Sequence, residues 1–157
     1  MLGGNEIIRQ SGGLLSLNTQ RAFVDTSAFE AGSDEPGKRE SILRLYLGSF
    51  LQGDNEPWAV PMRERLRSKF VRTVESVSSA LESSGRLQEA IDLYLRGIGT
   101  DDLIEPFYQG LMRCYSSLGR HAEAAGAFRR LRQTLAITLG AKPSAESQRL
   151  FVTLRLQ

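Results

Sequence analysis

The second half of the sequence repeats itself after 34 residues, and this feature restricts the fold more than any other. Gly85 and Gly119 align at that offset, and each lies between two stretches whose apolar residues recur at helical spacing. A short glycine turn between two amphipathic helices predicts an antiparallel helical hairpin, so each repeat is expected to be one hairpin. The other matched pairs are Ala90 with Ala124, Tyr94 with Phe128, Glu89 with Glu123 and Arg86 with Arg120.

This period of 34 residues is typical of tetratricopeptide repeats, in which helical hairpins stack side by side. The glycines serve the tight turn inside each hairpin. The small residues Ala90 and Ala124 allow the two helices of a hairpin to cross closely. The aromatic side chains Tyr94 and Phe128 are expected to fill the space between adjacent hairpins.

Helical patterns occupy nearly all of the chain beyond residue 25. A short helix is expected to end at Gly32, and a long helix with one apolar stripe opens at Trp58 and ends before Gly85. Further helices are predicted over residues 87–96, 103–118, 121–139 and 144–156.

The N-terminus differs, because the short apolar runs 6–9 and 14–17 flank a Gly12-Gly13 turn and predict a β-hairpin. The predicted fold is therefore all-α, with tetratricopeptide-like antiparallel helical hairpins and a short N-terminal β-hairpin.

Composition narrows the functional classes. The only cysteine is Cys114 and the only histidine is His121, which excludes an internal disulfide, a cysteine-rich zinc site and a multi-histidine metal centre. No apolar run approaches the ~20 residues that span a bilayer, and no secretory signal is visible at Met1. We therefore expect a cytoplasmic protein that binds no cofactor and no membrane.

Motifs between the short helix and the long one resemble those of a known family. Residues 46–51 read Tyr-Leu-Gly-Ser-Phe-Leu, Trp58 follows, and residues 63–66 read Arg-Glu-Arg-Leu. This series resembles the signature of the bacterial transcriptional activation domain, the tetratricopeptide-like module of antibiotic regulatory proteins and their AfsR-like relatives. The resemblance covers about residues 23–157. It departs at Asp101-Asp102, where the family often has Asp-Pro, and in the acidic loop before Pro36.

The resemblance implies a regulator with two domains. In that family the module usually follows an OmpR-type winged-helix domain, which binds the DNA. Residues 1–22 would then be the C-terminal hairpin remnant of the winged-helix domain, and residues 23–157 the helical module. The chain would be a fragment of a longer regulator, and DNA would be bound only through the upstream domain.

The resemblance also implies a non-enzymatic module that binds proteins. Repeat arrays of this kind line a concave face with the first helix of each hairpin. The partner would be another domain of the same regulator or the transcription machinery, and a homodimer stays open as an alternative. By repeat position, the inward polar residues are Arg72, Glu75, Ser79, Glu82, Gln109, Arg113 and Ser116.

Two other functions without catalysis stay open from the residues alone. One is a tetratricopeptide adaptor unrelated to transcription, which would share the fold and differ in its parent protein. The other is direct nucleic-acid binding through the basic run of the long helix, although an ordinary solvated helix face is the more common reading of such a run. That run consists of Arg63, Arg65, Arg67, Lys69 and Arg72.

An ATPase is the one enzymatic alternative, because residues 32–39 nearly fit the phosphate-binding loop pattern. The fit fails at Arg39, which replaces the hydroxyl residue that would hold magnesium. Asp34 and Glu35 would also place carboxylates inside an anion cradle. The sequence therefore favours a solvated loop for this segment, with no catalytic residue.

Overall fold

Helices make up most of the chain in the computed structural model, which describes residues 7–18, 21–54 and 56–155. Two 3-10 turns, Pro36–Lys38 and Leu43–Leu45, flank the shortest helix. In chain order, the elements are β1 (Ile8–Ser11), β2 (Leu14–Leu17), α1 (Asp25–Ser33), α2 (Arg39–Ile42), α3 (Ala59–Ser83), α4 (Leu87–Thr100), α5 (Glu105–Ser117), α6 (His121–Leu139) and α7 (Ala145–Arg155). The prediction of a tetratricopeptide-like all-α fold with an N-terminal β-hairpin is confirmed.

The N-terminal hairpin forms around the predicted glycine turn. β1 and β2 pair antiparallel, with Ile8 opposite Leu17, and Gly12 and Gly13 adopt φ values of 59° and 78°. Its apolar side chains, such as Leu14 at 75% relative exposure, face solvent. Within residues 7–18, 21–54 and 56–155, the two strands pack only on each other. Residue 6, which the sequence places in this hairpin, lies outside the described residues.

The segment from α1 to α2 packs against the N-terminal half of α3. α1 continues through Gly32 to Ser33, so the expectation that Gly32 ends the helix is wrong by one residue. The cause is close packing: a Cβ on Gly32 would lie 2.4 Å from Cγ2 of Ile42. Glycine is needed here because α2 approaches the backbone of α1 too closely for a larger residue.

The two repeat turns have the same geometry. Gly85 and Gly119 adopt φ values of 75° and 70°, a region that favours glycine over residues with a Cβ. The Gly85 N–H donates to the Glu82 carbonyl at 3.0 Å, and the Gly119 N–H donates to the Ser116 carbonyl at 2.9 Å. Each turn therefore closes its preceding helix in the same way, as the aligned glycines predict.

The small and aromatic repeat positions are buried. Ala90 and Ala124 are 0% and 6% exposed, in the second helix of each hairpin. Tyr94 lies so close to α5 that a Cβ on Gly110 would be 2.2 Å from its ring. Phe128 stacks on Phe151 of α7, with ring centroids 4.2 Å apart. The predicted packing of these aromatic residues between successive hairpins is confirmed, with α7 acting as the element that follows the second hairpin.

The helix boundaries mostly agree with the sequence. α6 has the predicted ends, whereas α4 extends beyond residue 96 to Thr100, and the last predicted residue of α7, residue 156, is outside the described residues. None of the helices in the described part of the chain is both long and apolar enough to cross a membrane.

Candidate partner-binding surface

A charged network joins the first helices of the two hairpins. The Glu82 carboxylate of α3 accepts hydrogen bonds from the Arg113 guanidinium of α5, with Nη2 to Oε1 at 3.2 Å and Nε to Oε2 at 3.3 Å. The hydroxyl of Tyr94, from α4, donates to the same carboxylate at 2.7 Å. The Glu82 and Arg113 side chains are 20% and 44% exposed. Three helices thus fix one carboxylate and one guanidinium at the α3–α5 face.

The electrostatics of this face follow from its partial burial. Burial raises the pKa of the Glu75 carboxyl above its ordinary value, while the nearby Arg113 guanidinium acts in the opposite direction. Burial and the hydrogen bond to Glu82 both raise the pKa of the Tyr94 hydroxyl. The Tyr94 hydroxyl therefore stays protonated at neutral pH and remains a hydrogen-bond donor to Glu82.

The structure brings together some of the predicted partner-binding residues. Glu75, Glu82 and Arg113 interact with one another across α3 and α5. Ser79 is exposed on α3, and Ser116 is half-buried on α5. These residues, Glu75, Ser79, Glu82, Arg113 and Ser116, are called the α3–α5 face below.

Two of the predicted residues belong elsewhere. Gln109 is 9% exposed, and its side-chain amide donates to the Ser147 hydroxyl of α7 at 2.9 Å. Its prediction as an accessible contact residue is corrected, because α7 covers it. Arg72 lies at the N-terminal side of α3 and lines a separate polar pocket with Arg39 and Lys69.

α7 is held in place by a carboxylate at its N-terminus. Glu105 of α5 accepts hydrogen bonds from the Ser144 N–H at 3.0 Å and from the Ser147 hydroxyl at 2.6 Å. A carboxylate at a helix N-terminus satisfies unpaired N–H groups and interacts favourably with the helix dipole. α7 therefore closes the C-terminal end of the α3–α5 face, and the open part is limited to the charged network.

Comparison with known families fits this arrangement. A profile of the bacterial transcriptional activator domain matches residues 25–155, from the start of α1 to the end of α7. The chain belongs to this family. It is therefore a regulatory module of a transcriptional activator. A search among curated proteins finds no match to the chain.

The residues that resemble the signature of the activator domain have structural roles here. Tyr46 stacks on Phe70 with ring centroids 4.2 Å apart, and Leu66 is 2% exposed. The Arg63 guanidinium donates to the backbone carbonyls of Phe50 and Leu51, each at 2.8 Å, and of Asp54 at 2.6 Å. These motifs hold the loop before α3, and so they identify the fold of the activator domain more directly than its partner.

Most of the basic run on α3 of the activator domain is already engaged within the protein. The Arg65 guanidinium pairs with Glu30 at 2.7 Å, and the Arg67 guanidinium pairs with Asp101 at 2.7 Å. Arg63 is bound to loop carbonyls. Asp101 is one of the two residues at which the sequence departs from the family pattern, and its carboxylate supplies the partner for Arg67. This arrangement leaves few cations of α3 for a nucleic-acid backbone.

Residues 32–39 do not form a phosphate-binding loop. The segment follows α1, whereas a phosphate-binding loop follows a strand. Gly32 lies inside α1, and the Lys38 ammonium pairs with the Glu35 carboxylate at 2.8 Å. The lysine that would reach a nucleotide phosphate is thus held at the surface by its own loop.

The single cysteine and histidine are not arranged for catalysis. Cys114 is fully buried, and burial raises the pKa of its thiol to about 11, so the thiol is protonated at neutral pH. This agrees with the reading of Cys114 as a small core residue. His121 is exposed at the first residue of α6.

Proposed function

We propose that this activator domain binds a protein segment or a partner domain through the α3–α5 face. The observation that carries the proposal is the network of Glu82, Arg113 and Tyr94, which holds opposite charges at a fixed spacing on adjacent helices. Fixed polar groups on rigid helices favour specific recognition, because little conformational entropy is lost when a partner pairs with them. A partner of mixed charge would complement this face.

The proposed role is non-catalytic, and the partner is either another domain of the same regulator or the transcription machinery. The proposal includes a cytoplasmic location, where transcription takes place in bacteria. DNA would be contacted by a winged-helix domain that precedes the module. In this proposal residues 1–22, with β1 and β2, form the last part of that domain, and residues 23–157 form the activator module. The exposed apolar side chains of Leu14, Leu15 and Leu17 support this division, because an isolated two-stranded hairpin is only marginally stable in water.

Transcriptional activation by tethering tests the proposal. The chain is fused to a heterologous bacterial DNA-binding domain, and transcription is measured from a promoter that carries the matching operator. Purified bacterial RNA polymerase holoenzyme serves as the binding probe in a parallel titration. We expect activation above that of the DNA-binding domain alone, together with saturable binding to the polymerase.

A matched pair of surface variants decides whether the α3–α5 face is responsible. Ser79 of α3 and Gln133 of α6 are both exposed, so Ser79→Arg and Gln133→Arg add the same side chain without removing a buried contact. Ser79→Arg is expected to abolish activation and polymerase binding, whereas Gln133→Arg keeps both. Equal activity of the two variants would contradict the proposed surface.

The nucleic-acid alternative has its own outcome. Three phosphate contacts would give a slope of about −2.7 in log affinity against log salt, which means weak and sequence-independent binding. Fluorescence anisotropy with promoter and scrambled duplexes across a salt series measures this slope. Sub-micromolar, sequence-selective binding at physiological salt would replace the protein-binding proposal with direct DNA recognition.

A further inference from the structure

A polar pocket of about 370 Å³ lies between α3 and the segment that joins α1 to α2. Three cationic side chains line it: Arg39 from the start of α2, and Lys69 and Arg72 from α3. The remaining lining residues are Ser33, Asp34, Thr73 and Ser76. Three positive charges against one negative charge give this pocket a local excess of positive charge that the whole chain, with a net charge of +2, does not suggest.

Contacts within the protein fix two of these cations. The Arg39 guanidinium donates from Nη1 to the Ser76 hydroxyl at 2.8 Å and from Nε to the Ser33 carbonyl at 3.2 Å. The Lys69 ammonium donates to the Glu30 carbonyl at 3.1 Å, and the Lys69 side chain is only 17% exposed. Both groups are therefore held in position before any ligand arrives, which lowers the entropic cost of binding an anion.

Arg72 completes the cluster from the exposed side of α3. Its guanidinium forms no hydrogen bond or ion pair with any residue that the structure describes, and it acts on the pocket through its charge on Asp34. A guanidinium offers five N–H donors in a planar fork that matches the oxygens of a phosphoryl group. This free fork lies beside two cations that are already fixed.

The Asp34 carboxylate occupies the position that a ligand oxygen would take. It accepts a hydrogen bond from the Lys69 ammonium at 2.8 Å, and that hydrogen bond, with the nearby positive charges, lowers the pKa of Asp34. The Asp34 side chain is 75% exposed in a turn between helices, so an external dianion can displace it at little cost in packing. Asp34 thus acts as an internal competitor for the pocket.

The lining also limits the class of ligand. The residues that line the pocket, all within the described ranges, are charged or carry a hydroxyl, and none offers an aromatic ring on which a nucleotide base could stack. A large apolar group would find no matching surface. The pocket therefore suits a compact, highly charged oxyanion, and two negative charges use the cluster better than the single charge of a carboxylate.

We infer that Arg39, Lys69 and Arg72 form a binding site for a phosphomonoester dianion, in which the phosphoryl oxygens replace the Asp34 carboxylate at Lys69 and engage the free guanidinium of Arg72. The site lies outside the α3–α5 face and does not depend on a protein partner. It is also distinct from a phosphate-binding loop, because Lys38 pairs with Glu35 and does not line the pocket.

Titration of the full chain with inorganic phosphate at constant ionic strength tests the inference, with amide chemical shifts as the readout. We expect saturable shifts at Ser33, Arg39, Lys69, Arg72 and Ser76. Arg72→Gln removes an exposed side chain without a structural bond and is expected to weaken binding about tenfold, the effect of losing one charge-assisted pair. Asp34→Asn removes the competitor and is expected to tighten binding several-fold.

A charge-matched control separates this site from general electrostatic attraction. Arg65→Gln removes the same charge from the same helix, but Arg65 pairs with Glu30 and does not line the pocket, so phosphate affinity should not change. Lys38→Gln provides the same control within the loop. Absence of saturable shifts would overturn the inference, as would equal weakening by Arg72→Gln and Arg65→Gln, or weaker binding by Asp34→Asn.

The source of the phosphoryl group is distinguished by two further probes. A phosphoserine peptide and a sugar phosphate are titrated beside their unphosphorylated forms. Tighter binding of the peptide than of free phosphate identifies a phosphorylated protein segment as the ligand, and tighter binding of the sugar phosphate identifies a small metabolite. Binding of either unphosphorylated form as strongly as its phosphorylated counterpart would contradict recognition of the phosphoryl group.

Discussion

The two helical hairpins share a turn but differ in what lies around it. Both turns place a glycine at positive φ and bond its N–H back to the preceding helix. In the first hairpin, Tyr94 bonds to Glu82 and borders the charged network with Arg113. At the same offset of 34 residues, the second hairpin has Phe128 for Tyr94, Ser116 for Glu82 and Ser147 for Arg113.

The difference separates fold from function. The second hairpin closes with an aromatic stack of Phe128 on Phe151 and a buried Gln109–Ser147 hydrogen bond. The charged network of the first hairpin is therefore not needed to build a hairpin of this type. A half-buried ion pair contributes little net stability, because desolvation offsets much of its Coulomb energy. Its presence in one repeat alone is the physical argument for a role in recognition.

The largest expected effect tests how much each aromatic residue contributes to its interface. Tyr94→Ala is expected to lower the free energy of unfolding by about 3–5 kcal/mol, since a fully buried ring against Gly110 and Phe107 leaves a cavity that helices cannot fill. Phe128→Ala should cost less, because Phe128 is 9% exposed and stacks on the terminal helix, which can readjust.

Urea unfolding monitored by circular dichroism measures both values. Tyr94→Phe is the control that keeps the ring and removes only the hydrogen bond to Glu82, at an expected cost of about 1 kcal/mol. A larger loss for Phe128→Ala than for Tyr94→Ala would reverse the comparison and make the C-terminal interface the stronger one.

Overpacking the small repeat positions should have the next largest effect. Ala90→Leu and Ala124→Leu are each expected to cost about 1–3 kcal/mol, because both positions are buried and additional methyl groups force the helices apart. Ala90, at 0% exposure, should be the less tolerant of the two. Ala136→Leu, at an exposed position of α6, is the control. A variant Ala124→Leu that melts at the wild-type temperature would show that the repeat alignment is wrong.

The two turns should respond equally to the loss of their glycines. Gly85→Ala and Gly119→Ala leave the new methyl group in open space, so the cost comes from the positive φ alone, about 1–2 kcal/mol at each site. Gly126 lies inside α6 without positive φ, and Gly126→Ala should raise stability by up to about 1 kcal/mol. Thermal melts compare the three variants, and clearly unequal losses at Gly85 and Gly119 would mean that the turns are not equivalent.

Local signals made most of the fold predictable. The repeat glycines, the alanine pair and the aromatic pair act through nearest neighbours, so their spacing alone predicted their roles. The misses came from long-range packing. The sequence suggested that α4 ends at residue 96, but the helix continues through Gly97, where a Cβ would lie 2.8 Å from the ring of Phe107. A glycine that a distant ring requires looks like a helix end when only its neighbours are read.

The polar sites were harder to predict for the same reason. Lys69, Thr73 and Ser76 share one face of α3, which helical spacing indicates. Arg39 joins them from 37 residues before Ser76, and no local pattern predicts that contact. Gln109 was expected on an open face because the position of α7 depends on Glu105, Ser144 and Ser147 acting together.

The smallest effect concerns one carboxyl group in the position where the repeats differ most quietly. Glu75 of α3 aligns with Gln109 of α5 at the 34-residue offset, so Glu75→Gln gives the first hairpin the residue that the second one has. Burial raises the pKa of the Glu75 carboxyl above its ordinary value of 4.5. Below 4.5 this carboxyl is neutral in both the folded and the unfolded chain. Above its folded pKa it is ionised in both, and the half-buried charge disfavours the fold.

The sign of the pH dependence follows. Between 4.5 and the raised pKa the folded state binds more protons than the unfolded state, so this group makes the wild type less stable as the pH rises through that window. Glu75→Gln removes the loss, and we expect a small gain in melting temperature at pH 7 that disappears near pH 4. Because Arg113 opposes the shift, Arg113→Gln should enlarge the gain that Glu75→Gln produces. A gain independent of pH would mean that the carboxyl is not the cause, and a loss at pH 7 would mean that the pairing with Arg113 outweighs the cost of burial.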